Sequence, residues 1–160
     1  MQKIIVLIAF AMSLFAAPAI AGQSGVMKID KVTSGYTKKR KKRSYGVVAK
    51  VNLSTQRMHV YENGRHRYTW KISSGRAGYR TPTGSYTIHR MHKRYFSKKY
   101  HGAPMPYAMF FHRGYAVHGT GSIKRLGRTA SHGCVRLHPS NAATLFSMVQ
   151  RKGGRVSISY

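Results

Sequence analysis

The balance of apolar and polar positions changes three times along the chain. Lys3 is followed by Ile4-Ile5-Val6-Leu7-Ile8-Ala9-Phe10 and a further apolar stretch to Ala17, and Ala19-Ile20-Ala21 closes it. A basic start, a short apolar core and a small-x-small end predict a secretory signal peptide over residues 1–21. The run is too short to span a bilayer and is broken by Pro18, which argues against a membrane anchor. Residues 22–45 are polar and basic, with Lys38-Lys39-Arg40-Lys41-Lys42-Arg43 unbroken. Six like charges in succession repel and rarely pack, so this segment is expected to be a flexible tether. Residues 46–160 carry the patterns of a folded domain.

Within that domain Val47, Val48, Val51, Leu53, Met58, Val60 and Tyr61 predict short strands. Asn63-Gly64 between Tyr61-Glu62 and the run His66 to Ile72 is a strong hairpin signal. Thr81-Pro82-Thr83-Gly84 turns into a strand over Ser85 to His89. Tyr107 to Phe111 and Tyr115 to His118 form another expected pair, turning near Arg113-Gly114. One helix stands out. Pro139 suits its first position, Ala142, Leu145, Phe146 and Val149 share a face at helical spacing, and Gly153-Gly154 ends it. Val156 and Ile158 alternate in a last strand over Arg155 to Tyr160. The expected fold class is therefore mainly β, with one principal helix.

Charge narrows the function. The chain has 160 residues, with 29 Lys and Arg against 2 acids and a formal net charge of +27. Such a protein binds polyanions without a dedicated site. Export makes nucleic acid a poor physiological partner and leaves anionic wall polymers and membrane surfaces, which the basic tether would attract. Asp30 and Glu62 are the two acids. A glycosidase of the usual kind needs two carboxylates flanking the scissile bond, and Ca²⁺ or Mg²⁺ sites need several carboxylate oxygens. Both classes drop out, as does a paired-Asp protease.

The one cysteine, Cys134, cannot form an internal disulfide. It lies in Ser131-His132-Gly133-Cys134-Val135-Arg136-Leu137, downstream of Val117-His118-Gly119-Thr120. A thiol needs a base, because the thiolate is the nucleophile, and an imidazole can take that proton and later return it to a leaving amine. His118 and His132 are both candidates. His118 is favoured because it ends an expected strand, which aims its side chain rigidly. Gly133 permits a sharp turn at the nucleophile, and backbone N–H groups near Gly133 and Cys134 would serve a tetrahedral oxyanion. With neither acid well placed, the base is expected to be held by a backbone carbonyl or a neutral side chain. The bland alternative is a small buried hydrophobe at Cys134. A soft metal set of Cys134, His118 and His132 lacks a fourth ligand.

His118-Gly119-Thr120 followed by the Ser-His-Gly-Cys segment closely resembles the catalytic signature of the L,D-transpeptidases (YkuD-like domains). Thr81-Pro82-Thr83-Gly84-Ser85-Tyr86, Met105-Pro106-Tyr107 and Leu126-Gly127-Arg128 are also similar to that family. The resemblance covers about Val47 to Ser159. It implies a β-rich fold with the cysteine on a loop leading into a helix, and attack by Cys134 on a peptidoglycan tetrapeptide stem. The bond broken would join the third-position diamino acid to D-Ala, and an amine from another stem would resolve the thioester to a 3–3 crosslink. Water or a protein amine as acceptor would keep the chemistry and change the product. A basic surface-binding module with a dead site is the reading from another class. The resemblance implies Cys134 as nucleophile, His118 as general base and acid, and Gly119, Thr120, Ser131, His132, Gly133 and Arg136 as shaping the site. It implies sensitivity to carbapenems and no metal or organic cofactor. The expected location is the periplasm, at the peptidoglycan.

Overall fold

The computed structural model describes residues 46–160. The expected signal peptide (1–21) and basic tether (22–45) lie outside the described residues. Alternation sets the first sheet. In β1 (Val47–Asn52) Val47, Ala49 and Val51 turn inward, and Met58 and Val60 do so in β2 (Arg57–Glu62). The Asn63-Gly64 turn joins β2 to β3 (Arg65–Lys71), with φ of 50° and 80° at the two turn residues. Both values are positive, as the tight hairpin turn predicted from Asn-Gly requires. β3 is paired with β2 through a register shift at Val60/Tyr61. β4 (Gly84–Thr87) overlaps the strand expected over Ser85 to His89, starting one residue earlier and ending two earlier, and β11 (Gly154–Ser159) is the last strand. The five form one sheet in the order β3-β2-β1-β11-β4, with β1 and β11 parallel.

β5 (Arg90–His92), β8 (Ala108–His112), β9 (Tyr115–Gly119) and β10 (Val135–Leu137) make a second sheet, in the order β10-β9-β8-β5. β6 (Phe96–Ser97) and β7 (Ala103–Pro104) form a small ribbon, with a 3-10 turn at Lys98–Tyr100 between them. The helix α1 (Pro139–Lys152) has Pro139 at its start and Gly153 at its end. There φ is 69° and the Gly153 N–H donates to the Val149 carbonyl at 2.8 Å. Ala142, Leu145, Met148 and Val149 bury the inner face of α1 against Val47, Val156, Val117 and Leu137.

This mostly β domain with one helix has the expected fold class. One local detail differs from the expectation. Cys134 does not lead straight into the helix, because the three-residue β10 intervenes. Its pairing is parallel to β9, with Arg136 opposite His118 and Leu137 opposite Gly119. β8 and β9 are covered on both faces. Met109, Phe111 and Val117 join the main core, while Ala108, Phe110 and Ala116 join a second cluster with Met105, against which Tyr95 and Cys134 pack.

Candidate active site

The ends of β9 and β10 bring the two sequence features together. His118 and Cys134 line one cavity of about 640 Å³, together with His132, Arg136, Tyr79 and Tyr100. Thr120 also borders it. Cys134 is half-buried and carries a free thiol, and His118 is buried at 6% exposure.

The turn before Cys134 is held from inside. Ser131, fully buried, donates from Oγ to the Cys134 carbonyl at 2.6 Å and accepts the Gly133 N–H at 3.0 Å. Gly133 has φ of 105°, and a Cβ there would lie 2.5 Å from Tyr115 Cε1. Glycine is thus required both by backbone angle and by space. A second chain segment braces the outside of the turn. Ser73 and Arg136 exchange backbone hydrogen bonds at 3.0 and 2.9 Å, and the Ser74 carbonyl accepts from the amides of Ala130 and Ser131, both at 2.9 Å. Arg136, half-exposed, donates from Nη1 to the Ala130 carbonyl at 3.2 Å.

His118 is oriented by backbone. Its Nδ1 lies 2.7 Å from the Gly119 carbonyl oxygen. A carbonyl can only accept, so Nδ1 carries the proton and Nε2 has the free lone pair. No carboxylate takes part among the described residues. Glu62 is tied to Lys152 at 2.9 Å and Arg67 at 3.6 Å. Gly119 cannot carry a side chain easily, since a Cβ would lie 3.2 Å from Pro106 Cγ and from Pro139 Cα. Thr120 accepts the Ser122 N–H on Oγ1 at 3.1 Å, which shapes the turn leaving β9.

Burial drives the His118 pKa down to about 4, with the Arg136 charge adding to it and the Gly119 hydrogen bond opposing. Burial likewise raises the Cys134 thiol, opposed by a backbone hydrogen bond from Ala116 and by the Arg136 and Lys99 charges. At neutral pH both groups therefore rest uncharged. Such a pair holds no standing thiolate, and its chemistry would begin with transfer of the thiol proton to the imidazole.

His132 has a different setting. Its ring stacks on Tyr100 at 4.8 Å between centroids and meets Tyr79 edge-on at 4.5 Å. Arg76 donates to its Nε2 at 3.0 Å. Partial burial, then Arg76, Arg136 and Lys99, disfavour its protonation. His132 thus joins the β6–β7 ribbon to the cysteine turn. Among the described residues no three His, Cys, Asp or Glu side chains are grouped as a metal ion would need. Tyr79, Tyr100, Arg76 and Lys99 belong to this site and have no local sequence signal. They come from loops 30 to 60 positions away from Cys134.

Several known proteins share this arrangement of chain. A YkuD protein of Bacillus licheniformis is 29% identical over 111 residues, which span 68% of this chain. The match takes in 63% of that relative's length. The solved L,D-transpeptidase of Stackebrandtia nassauensis superposes with a TM-score of 0.67 at 29% identity, covering 79% of this chain and 62% of the other. L,D-transpeptidase 3 of Mycobacterium tuberculosis, solved with a faropenem-derived adduct, has a TM-score of 0.65 at 22% identity over 73% of this chain and 61% of its own. At that identity the likeness is one of fold. Residues 46–158 match the model of the YkuD L,D-transpeptidase catalytic domain, and the chain belongs to that family.

Proposed function

We propose that this protein is an exported, periplasmic cysteine enzyme that remodels peptidoglycan stem peptides. The observation that carries the reading is the shared cavity of Cys134 and His118, with Nε2 left as the acceptor by the Gly119 carbonyl. His118 Nε2 takes the thiol proton as Cys134 Sγ attacks the carbonyl carbon of the third-position diamino acid. The Gly133 N–H is committed to Ser131, so of the two amides at the turn the Cys134 N–H is the one to meet the oxyanion. The C–N bond to D-Ala then breaks, and His118 returns its proton to the leaving amine. A thioester remains on Cys134. An amine of another stem attacks it, gives its proton to His118, and releases the thiol as a 3–3 crosslink forms. A β-lactam carbonyl would acylate Cys134 by the same attack.

Incubating the mature chain with tetrapeptide muropeptides and weighing the products tests this. Dimers joined through two diamino acids are expected. Tripeptide monomers alone would assign water as the acceptor. Cys134→Ala abolishes D-Ala release and the carbapenem adduct with little loss of fold. A folded wild-type protein that resists both alkylation and carbapenems would favour a non-catalytic binding module. His118→Ala slows acylation more than His132→Ala, and the reverse ranking would reassign the base.

A further inference from the structure

Basic side chains crowd the mouth of the Cys134 cavity, and no acid of the described chain answers them. Arg76 donates to His132, and its guanidinium carbon lies 4.9 Å from the Tyr79 ring centroid. Lys99 Nζ lies 5.6 Å from the centroid of Tyr100. Tyr79, Tyr100 and His132 all line the cavity, and Arg136 lines it directly. The fields of Arg136 and Lys99 reach the Cys134 sulfur, and Arg76 and Arg125 act on Arg136 itself. The one Asp or Glu among the described residues, Glu62, sits on β2 and is taken up by Lys152 and Arg67. Cations gathered around one cavity repel one another, and an anionic ligand relieves that repulsion. His132 strengthens the argument. Its Nε2 accepts from Arg76, so it stays neutral and contributes position rather than charge.

We infer that Arg76 and Lys99, with Arg136, form a carboxylate-selecting rim, so that the enzyme prefers stems with free carboxylates over stems amidated at those positions. The inference rests on the peptidoglycan reading above and names the charge class of its acyl donor. A tetrapeptide stem offers a terminal carboxylate, and its diamino acid offers a second one beside the distal amine. The rim discriminates at this second group. Arg76 is held by the His132 ring and by Tyr79, which leaves its remaining N–H groups to face a carboxylate. Lys99 sits on the exposed 3-10 turn, over the Tyr100 ring that stacks on His132.

The test compares two tetrapeptides that differ only in a carboxylate or carboxamide on the diamino acid. Equilibrium binding to Cys134→Ala protein is read alongside D-Ala release by the wild type, each at low and high salt. The free carboxylate is expected to bind about fivefold tighter or better at low salt, the scale of one exposed ion pair. The gap should narrow as salt screens the rim. Arg76→Gln and Lys99→Gln each bring the ratio toward one, and Arg76→Lys keeps most of it, which a merely structural arginine would not do. Equal binding of both peptides, or tighter binding of the amidated one, overturns the rim while leaving the transpeptidase reading intact if D-Ala is released. Binding with a charge preference but no D-Ala release keeps the rim and sinks the activity instead.

Discussion

His118 Nδ1 lies 2.7 Å from the carbonyl oxygen of Gly119, its own chain neighbour. An imidazole held this way has no adjacent negative charge to stabilise its protonated form, in contrast to one backed by a carboxylate. The short reach also ties the ring to the backbone of β9, whose register against β10 is fixed by pairing. Orientation is thus supplied by the sheet, and burial sets the proton affinity.

The pKa of His118 falls from 6.5 to about 4, chiefly by burial. Between these values the unfolded chain binds a proton that the folded chain does not. Stability contributed here is complete above pH 6.5 and is lost progressively as pH falls toward 4, by on the order of 3 kcal/mol. Thermal unfolding of the wild type followed from pH 7 to 4.5 should show this decline. His118→Gln should flatten it, and an equally steep decline in that variant would assign it to other groups. The acid limb of acylation should likewise sit near pH 4 rather than near 6.5.

Ser131 is the internal strut of the cysteine turn. Truncation in Ser131→Ala removes the donor to the Cys134 carbonyl and orphans the buried Gly133 N–H. The expected destabilisation is about 1–3 kcal/mol, the cost of a buried group left unsatisfied. Because the same bonds set the backbone at Cys134, the acylation rate should fall more than substrate binding weakens. Denaturant melts and burst kinetics measure the two effects separately.

Gly133 meets two constraints at once. With φ of 105° and Tyr115 Cε1 2.5 Å from any added Cβ, Gly133→Ala must both strain the backbone and displace an aromatic ring. A loss of at least about 2 kcal/mol is expected from the backbone angle and the clash together. Gly78→Ala is the matched control. It also has a positive φ, 77°, but open space around it, so it should cost only the backbone term. A comparable loss in both variants would mean that Tyr115 yields freely.

The parts of this molecule legible in its sequence are those whose signal is local. Asn63-Gly64 specifies a turn through its own backbone preferences, and Pro139 with Gly153 brackets a helix whose apolar face repeats every three or four residues. Cys134 and His118 stand out because their neighbours form compact motifs. β10, with three residues, and β6 and β7, with two each, are too short to show a period, and pairing alone makes them strands. The rim of the site was hidden for another reason. Arg76 meets His132 across 56 positions, and Tyr100 reaches it from a 3-10 turn on a separate ribbon. Such contacts follow from topology, and nothing in the composition of either segment announces them.

The brace behind the cysteine turn begins further away, at Gln56. This side chain is buried at 5% exposure in the turn between β1 and β2, and its backbone has φ of 51°. Its Nε2 donates to the Leu53 carbonyl at 2.7 Å and to Ser74 Oγ at 2.6 Å, while its Oε1 accepts the Ser74 N–H at 2.9 Å. Ser74 in turn accepts from Ala130 and Ser131. Gln56 therefore connects a loop of the five-stranded sheet to the Cys134 turn through one intermediary. Gln56→Ala leaves the Leu53 carbonyl and both Ser74 groups without their partner in a buried place. The expected loss is about 2–4 kcal/mol, more than one hydrogen bond because three contacts fail together. If the connection matters for catalysis, acylation measured well below the melting temperature should also slow in Gln56→Ala. Hydrogen exchange at the amides of Ala130 and Ser131 reports on the brace directly. Protection unchanged in Gln56→Ala would show that Ser74 holds the turn without help from the first sheet.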